Sequence, residues 1–484
     1  MQKLFSNSGK VFLVLMALAF LMRIFSFFRS VLDHDESTYI IIADALRHGQ
    51  VYLRDVVDTK PIGIFLLFGL FQFLFGKSIL MIRIIAAIWV AVTGWMIYLV
   101  HRQLLVPASA SSSFNPAPVA SGMIYVFIIS IYSAYGLSPN TELFFNLFTI
   151  TALYCTLTKK SIVFFLLSGF LLGLGFIIKY VVLFDAIAIG IFYLWIQVYE
   201  KNKLKDGLVR CVLMGIGFLI PFLVDWMYYR HLGLGETFTY FTFKLSGMYM
   251  MKPGWTADLK FVFTFYWNFF PVIIWFFYCI WDWRTVGSRI LVLGTIWSIL
   301  VTAIILIPGR LYPHYFVQFM LPLSLLSGSF FDPLRPVVRG LAWIRKPAIG
   351  YSLLFLTLLI NTLVQKAKFY DRPDYPREVA AYLTSRLEPG DVLYTGDYNH
   401  IIYQLTGTSS PTPYIHSSLI WMPVNAYALK INQKEEFEKI LNQKPRFILI
   451  RYPLHEDNPI HEILQNSYRV VKLFSTEVMV YERN

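Results

Sequence analysis

Apolar segments long enough to cross a bilayer recur along this chain, and such segments have few structural solutions. Inside hydrocarbon every backbone N–H and C=O must find its partner within the protein, so a lone span is a helix of about 20 residues. Candidate spans lie near residues 11–29, 82–100, 118–136, 141–157, 161–178, 180–198, 208–229, 259–281, 289–307, 314–331 and 347–365, about eleven in all. The composition agrees. Hydrophobic residues make up 57% of the 484 positions and the mean hydropathy is +0.57, outside the range of soluble domains. The expected fold is a polytopic α-helical membrane protein.

Lys3 and Lys10 precede an apolar run from Val11 to Phe28 that only Arg23 and Ser26 interrupt, with no small-residue cleavage site after it. This is the pattern of an uncleaved signal anchor with a cytoplasmic N-terminus. Cys155, Cys211 and Cys279 fall inside apolar segments without CxxC or metal-ligand spacing, which argues against a disulfide framework or a zinc site. The formal charge of +13 is explained by topology better than by nucleic acid. Basic residues cluster in alternate short turns, at Lys159 and Lys160, at Lys201, Lys203 and Lys205, at Arg284 and Arg289, and at Arg335, Arg339, Arg345 and Lys346. The positive-inside rule makes those turns cytoplasmic. Turns at 135–142, 178–181 and 308–315 then face outward, and Lys179 and Arg310 are their only basic residues. "PASASSSFNPAP", 107–118, reads as a flexible cytoplasmic linker.

The stretch "PIGIFLLFGLFQFLFG", 61–76, is apolar but too short for a comfortable span, and counting it as one would place Lys3 and Lys10 outside. It is expected to lie at the outer interface. Residues 30–81 then form one long extracytoplasmic loop. After Gln365 charges and prolines return, and helix-like "REVAAYLTSRL" and "KEEFEKILNQ" alternate with strand-like "DVLYTGD", "RFILIRY", "YRVVKLF" and "EVMVYER". The expected division is a transmembrane domain over 1–365, its outer loop at 30–81, and a small extracytoplasmic α/β domain over 366–484.

Chemistry points to the first loop. In "LDHDESTYIIIADALRHG" the Asp33 and Glu36 pair is a capping-box pattern, and Gly49 suits the end of the same helix. Capping alone would account for these acids, but it leaves Asp35 unused, and a carboxylate near the membrane surface is suited to act as general base toward an acceptor hydroxyl. A leaving group would need cations. Lys60, Lys179, Arg83 and Arg310 with His314 stand on the same side and suit a phosphate. Each has a plainer explanation: Lys179 and Arg83 as snorkelling side chains, Lys60 as a partner of Asp58, His314 as a packing residue. Together, with Glu142 as a third carboxylate on that face, they point to function, because ionisable groups at membrane depth are costly. Tyr39, Tyr312 and Tyr315 are suited to stacking on a sugar, although interfacial belts place tyrosines there in any case. Asp185 and Asp225, near outer helix ends, equally cap or pair. The chain has no P-loop, no dinucleotide fingerprint, no HExxH and no nucleophile elbow, which argues against a nucleotide-driven pump.

Five blocks, "DHDESTY", "DTKPIGIFLLFGLFQFLFG", "SPNTELFFNLF", "LSGFLLGLGFIIKY" and "GRLYPHYFVQFMLP", resemble in order the membrane glycosyltransferases of the C-type fold, family 39. That group includes protein O-mannosyltransferases and lipid A aminoarabinose transferases, and the resemblance spans roughly residues 11–330. It implies that Asp35 and Glu36 are the catalytic acid pair and that Lys60 of the lysine-proline step holds the donor phosphate. It also implies a sugar donor on a polyprenyl phosphate, transfer with inversion, and no nucleotide sugar. "DTKP" departs from the glutamate-lysine or histidine-proline of some relatives, which leaves divalent-metal dependence open near Asp58 and implies no other cofactor. The tail is not the large sugar-binding insertion of the eukaryotic enzymes.

The expectation is therefore a glycosyltransferase in a bacterial plasma membrane. It moves one sugar from a polyprenyl phosphate to an envelope glycan, lipid or protein, with Asp35 as base, Lys60, Lys179, Arg310 and His314 on the phosphate, and Glu142, Asp58, Tyr39 and Tyr312 toward substrate. The absence of a sequon and of a C-terminal retention signal fits that location. A lipid-linked sugar flippase would place its charges mid-membrane, and an envelope assembly module would tolerate their replacement.

Overall fold

The computed structural model describes residues 7–105, 114–158, 161–248, 250–251, 253–451, 460–475 and 478–484. Lys3, the Lys159 and Lys160 turn, and 107–113 of the expected linker lie outside them. The chain forms two compact units, one of Met1–Phe28, Leu80–Tyr228 and Met251–Tyr370, the other of Arg29–Ile79, Tyr229–Met250 and Asp371–Asn484. The first loop is thus grouped with the tail, whereas the sequence-based division kept it with the helices.

In the first unit helices occupy the expected apolar segments: Ser8–Arg23, Ile79–Leu104, Ala117–Ile131, Thr141–Thr158, Ile162–Ile178, Val182–Trp195, Leu204–His231, Ser288–Leu306, Phe316–Ser329 and Pro347–Gln365. The expected span at 259–281 is broken into Trp255–Asn268 and Phe270–Trp281, bent by 102° just before Pro271, which has no N–H to continue the ladder. By length and composition, six helices among the described residues qualify as membrane spans, or seven if the bent pair counts as one. The number eleven is not confirmed. Ala117–Ile131 and Ile162–Ile178 have 15 and 17 residues, and at about 1.5 Å per residue they fall short of a hydrocarbon core of roughly 30 Å.

Small residues let these helices approach closely, as expected where helices cannot rely on hydrophobic exclusion from water. A Cβ on Gly169 would sit 1.9 Å from the Met214 carbonyl oxygen, and one on Gly217 would sit 2.1 Å from that of Leu166. Backbone therefore meets backbone between Ile162–Ile178 and Leu204–His231.

The alternate turns sort to opposite ends of Val182–Trp195. At one end Arg289 Nε donates to Glu200 at 2.7 Å, joining two of the basic turns. At the other end the 135–142, 178–181 and 308–315 turns meet through Glu142, Lys179 and Tyr315. Arg23, the lone cation inside the first apolar run, is fully buried and donates to the carbonyls of Gly136 at 3.1 Å and Leu137 at 2.6 Å. It pins the turn that leads into Thr141–Thr158.

The second unit carries a four-stranded sheet, β1 (Leu393–Tyr394), β2 (Phe447–Arg451), β3 (Tyr468–Phe474) and β4 (Val478–Arg483), in the order β1-β2-β4-β3. β1 and β2 are parallel, the other pairs antiparallel. All four strand-like stretches thus pair. Phe447 and Leu449 of β2 face a core with Val379 and Leu383 of the Tyr375–Thr384 helix, while Ile448 and Ile450 face Phe437 and Ile440 of Gln433–Asn442. Burial on both faces explains why β2 reads as a continuous apolar run. From the first loop, Gly63–Phe75 lays Phe65 and Phe68 against Tyr39 of the His34–Arg47 helix and leaves Phe73 73% exposed. At 13 residues this helix is about 20 Å long, shorter than a bilayer core.

The Gly169 contact makes a direct prediction. Gly169→Ala is expected to destabilise by about 1–3 kcal/mol through overpacking against the Met214 backbone. Gly190→Ala, where nothing lies within 4 Å, is the control, and thermal unfolding in detergent compares them.

Candidate active site

Asp33 starts the His34–Arg47 helix: its extended backbone lets Oδ1 accept the Asp35 N–H at 3.3 Å. Glu36 is fully buried and its Oε2 accepts the Leu32 N–H at 3.2 Å, one residue earlier than a standard capping box requires. The helix ends as expected, with Gly49 at φ +85°. Two acids are thus absorbed by helix initiation, and Asp35 is left for other work.

Asp35 meets Lys60. The segment before Lys60 folds on itself, with Asp55 accepting the Val51 N–H at 2.7 Å and the Tyr52 hydroxyl donating to the Asp58 carbonyl at 2.7 Å. That tight turn delivers Lys60 Nζ to Asp35 Oδ1 at 2.7 Å and to Asp58 Oδ2 at 3.5 Å, with the Tyr39 ring 5.6 Å away. Lys60 and Asp35 are only 18% and 15% exposed, and Asp58 is buried. Burial by itself pushes the Lys60 ammonium down, but Asp35 and Asp58 together outweigh it and hold the group well above the ordinary lysine value. Two carboxylates surround one cation. One of them can keep the ammonium satisfied while the other accepts a proton.

The tail closes this cluster. The Val57 N–H donates to the Pro413 carbonyl at 2.8 Å, and Val57 bridges Tyr414. Two residues on, His416 Nε2 stands 3.5 Å from Asp35 Oδ1. His34 and His400 pack around it, with ring centroids 6.1 and 5.1 Å from that of His416, and Arg451 donates to His34 Nε2 at 3.0 Å. Among the described residues no group of three or more His, Cys, Asp or Glu is arranged to hold a metal ion.

In the other unit Glu142, in the first turn of Thr141–Thr158, pairs with Lys179, whose ammonium lies 4.1 Å from the Tyr315 ring centroid. Lys179 sits in the short break between Ile162–Ile178 and Val182–Trp195. Gly309 takes φ +64°, and a Cβ there would fall 2.0 Å from the Met251 carbonyl oxygen. That turn presents buried Arg310, then Tyr312 and His314 stacked at 5.7 Å, with Tyr312 partly exposed. Asp185 is held by Trp297 at 2.6 Å and Gln318 at 2.7 Å, a structural use.

The expected residues therefore fall into two groups, Asp35, Asp58, Lys60 and Tyr39 in one unit, and Glu142, Lys179, Arg310, Tyr312 and His314 in the other. Sequence reasoning missed His34, His400, His416 and Arg451. His34 carried a signal, flanked by Asp33 and Asp35 in a block already singled out. The tail residues carried none.

Residues 59–228 match the family described as dolichyl-phosphate-mannose-protein mannosyltransferase. ArnT from Cupriavidus metallidurans has a similar structure in its apo state, with a TM-score of 0.65 at 14% identity over 97% of each chain. The same protein bound to undecaprenyl phosphate gives 0.63 at 12% identity and the same coverage. The archaeal oligosaccharyltransferase AglB from Archaeoglobus fulgidus, in complex with an inhibitory peptide and a dolichol-phosphate, gives 0.53 at 11% identity over 93% of this chain and 70% of that one. Comparison with curated proteins gives no match. The chain has the C-type glycosyltransferase fold, as the resemblance implied.

Burial is the main reason the three imidazoles resist protonation: His34 is held down to about 4, His400 well below the ordinary value, and His416 below it. The unfolded chain takes up these protons near pH 6.5, whereas folded His34 refuses its proton until about pH 4. The contribution is therefore full above that window and is lost as pH falls through it. Melting temperature in detergent is expected to drop as pH falls from about 6.5 to about 4, with a flatter profile in His34→Asn.

Proposed function

We propose that this protein is a membrane glycosyltransferase that moves one sugar from a polyprenyl phosphate to an acceptor hydroxyl or amine at the extracytoplasmic face of a bacterial plasma membrane. The observation that carries the reading is the Asp35, Lys60 and Asp58 cluster, a largely buried ammonium shared by two carboxylates, in a chain of this fold. The undecaprenyl phosphate bound to ArnT and the dolichol-phosphate bound to AglB support the donor class.

The acceptor oxygen or nitrogen attacks the anomeric carbon as its proton passes to Asp35. The bond from that carbon to the phosphate oxygen breaks, and polyprenyl phosphate leaves with the electron pair. Attack opposite the leaving group inverts the anomeric centre. Lys60 is the donor-phosphate ligand. As the phosphate arrives it draws on the same ammonium that Asp35 holds, which loosens Asp35 toward its role as base. Lys179, Arg310 and His314 are assigned to the phosphate as well, with Glu142, Asp58, Tyr39 and Tyr312 toward substrate. Glu36 starts the helix that carries Asp35 and supports it from there. The N-terminus is cytoplasmic in this reading, and the residues after 365 are extracytoplasmic.

Release of polyprenyl phosphate from a panel of polyprenyl-phosphate monosaccharides, with envelope extract as acceptor source, tests the proposal. Asp35→Asn is expected to lower turnover about 10²- to 10⁴-fold while the protein still folds. A near-normal rate would remove Asp35 from the role of base, and no release from any donor by the wild type would favour transport. Lys60→Ala, in the same assay, is expected to raise the donor KM by loss of a charge-assisted partner. An unchanged KM would move phosphate binding elsewhere.

A further inference from the structure

The His416 ring is fixed on both sides. Its Nδ1 accepts the backbone N–H of Ser418 at 3.2 Å and lies 2.7 Å from the Ser418 hydroxyl. A backbone N–H can only donate, so in the neutral ring Nδ1 carries no proton, and the proton sits on Nε2. Nε2 is the atom that faces Asp35 Oδ1 at 3.5 Å, the same oxygen that accepts from Lys60. His400, with neither ring nitrogen hydrogen-bonded, is fully buried beside His416 and helps keep water from it. The backbone bridge between Val57 and Tyr414 sets this arrangement, because it fixes the tail segment two residues before His416 against the first loop.

We infer that His416 is a positioning residue for Asp35, and that the tail thereby completes the site begun in the first loop. The inference rests on the glycosyltransferase reading and deepens it. A neutral Nε2–H, 3.5 Å from one carboxylate oxygen, orients it as a dipole without adding a second full positive charge. Lys60 brings its ammonium to Asp35 Oδ1 from one direction only. The Lys60 hydrogen bond and the His416 Nε2–H dipole reach Oδ1 from different elements and together restrict the carboxylate's rotation, so it meets the acceptor proton in one orientation. The depressed proton affinity of the buried imidazole keeps the ring in the neutral form that this contact uses.

The full-length protein in detergent is assayed for polyprenyl phosphate release as wild type, His416→Ala, His416→Gln, Asp35→Asn and the Asp35→Asn, His416→Ala double variant. His416→Ala is expected to lose turnover about a hundredfold with little change in donor KM, the scale on which a misplaced catalytic group costs rate. His416→Gln places an amide N–H near the Nε2 position and is expected to recover most of that loss. The double variant is expected to be no slower than Asp35→Asn, because His416 acts through Asp35. A wild-type rate in His416→Ala overturns the inference, as does a Gln variant as slow as Ala with both melting normally, or additive losses in the double variant.

Imidazole ¹⁵N NMR of the same protein separates the two levels of the argument. If the wild type releases nothing, the glycosyltransferase reading fails, and the spectra still judge the contact. A His416 signal of the Nε2–H form that shifts in Asp35→Asn supports the inference. The Nδ1–H form, or a signal indifferent to Asp35, overturns it.

Discussion

A charged group in or beside hydrocarbon persists only where an opposite charge or a set of backbone carbonyls meets it, and this chain repeatedly uses that requirement to fix its non-helical connections. Arg23 is met by the carbonyls of Gly136 and Leu137, and so a turn that has no regular structure acquires one shape. Lys179, in a break between two helices, is met by Glu142 at the head of a third. Lys60, at the end of a tight loop, is met by Asp35 and Asp58. Each pair acts as a staple, and each staple sits where chemistry would need rigid side chains.

The same requirement explains what sorted the turns. Helical segments satisfy their own backbone, so they carry little information about which connection meets which. The charges supply it: Arg289 with Glu200 at one end of Val182–Trp195, Lys179 with Glu142 at the other. The alternation of basic and non-basic turns in the sequence is the one-dimensional shadow of that arrangement.

Much of the architecture could be read from period and length. Apolar runs marked the helices, and strand-like stretches marked all four strands, because burial patterns repeat within a few residues. The span count did not follow, since broken and short helices such as Trp255–Asn268 and Ala117–Ile131 look alike in composition to full crossings. Asp33, Asp35 and Glu36 could be ranked from capping rules alone, and Lys60 was recognised as a cation near carboxylates. His416 could not be found that way. Its relevance depends on a bridge between Val57 and Tyr414, a pairing of distant residues that no local pattern announces, and an isolated histidine in "YIHSS" has no motif around it.

The bridge at Val57 also orders events in the life of the molecule. The first loop is synthesised early, yet its aspartate meets the His416 ring only after residues 413–418 have been made and folded. A nascent chain arrested or clipped before that point would have its helices and its first loop without a finished centre. The cluster around Asp35 is therefore complete only in a chain that has been made to its tail.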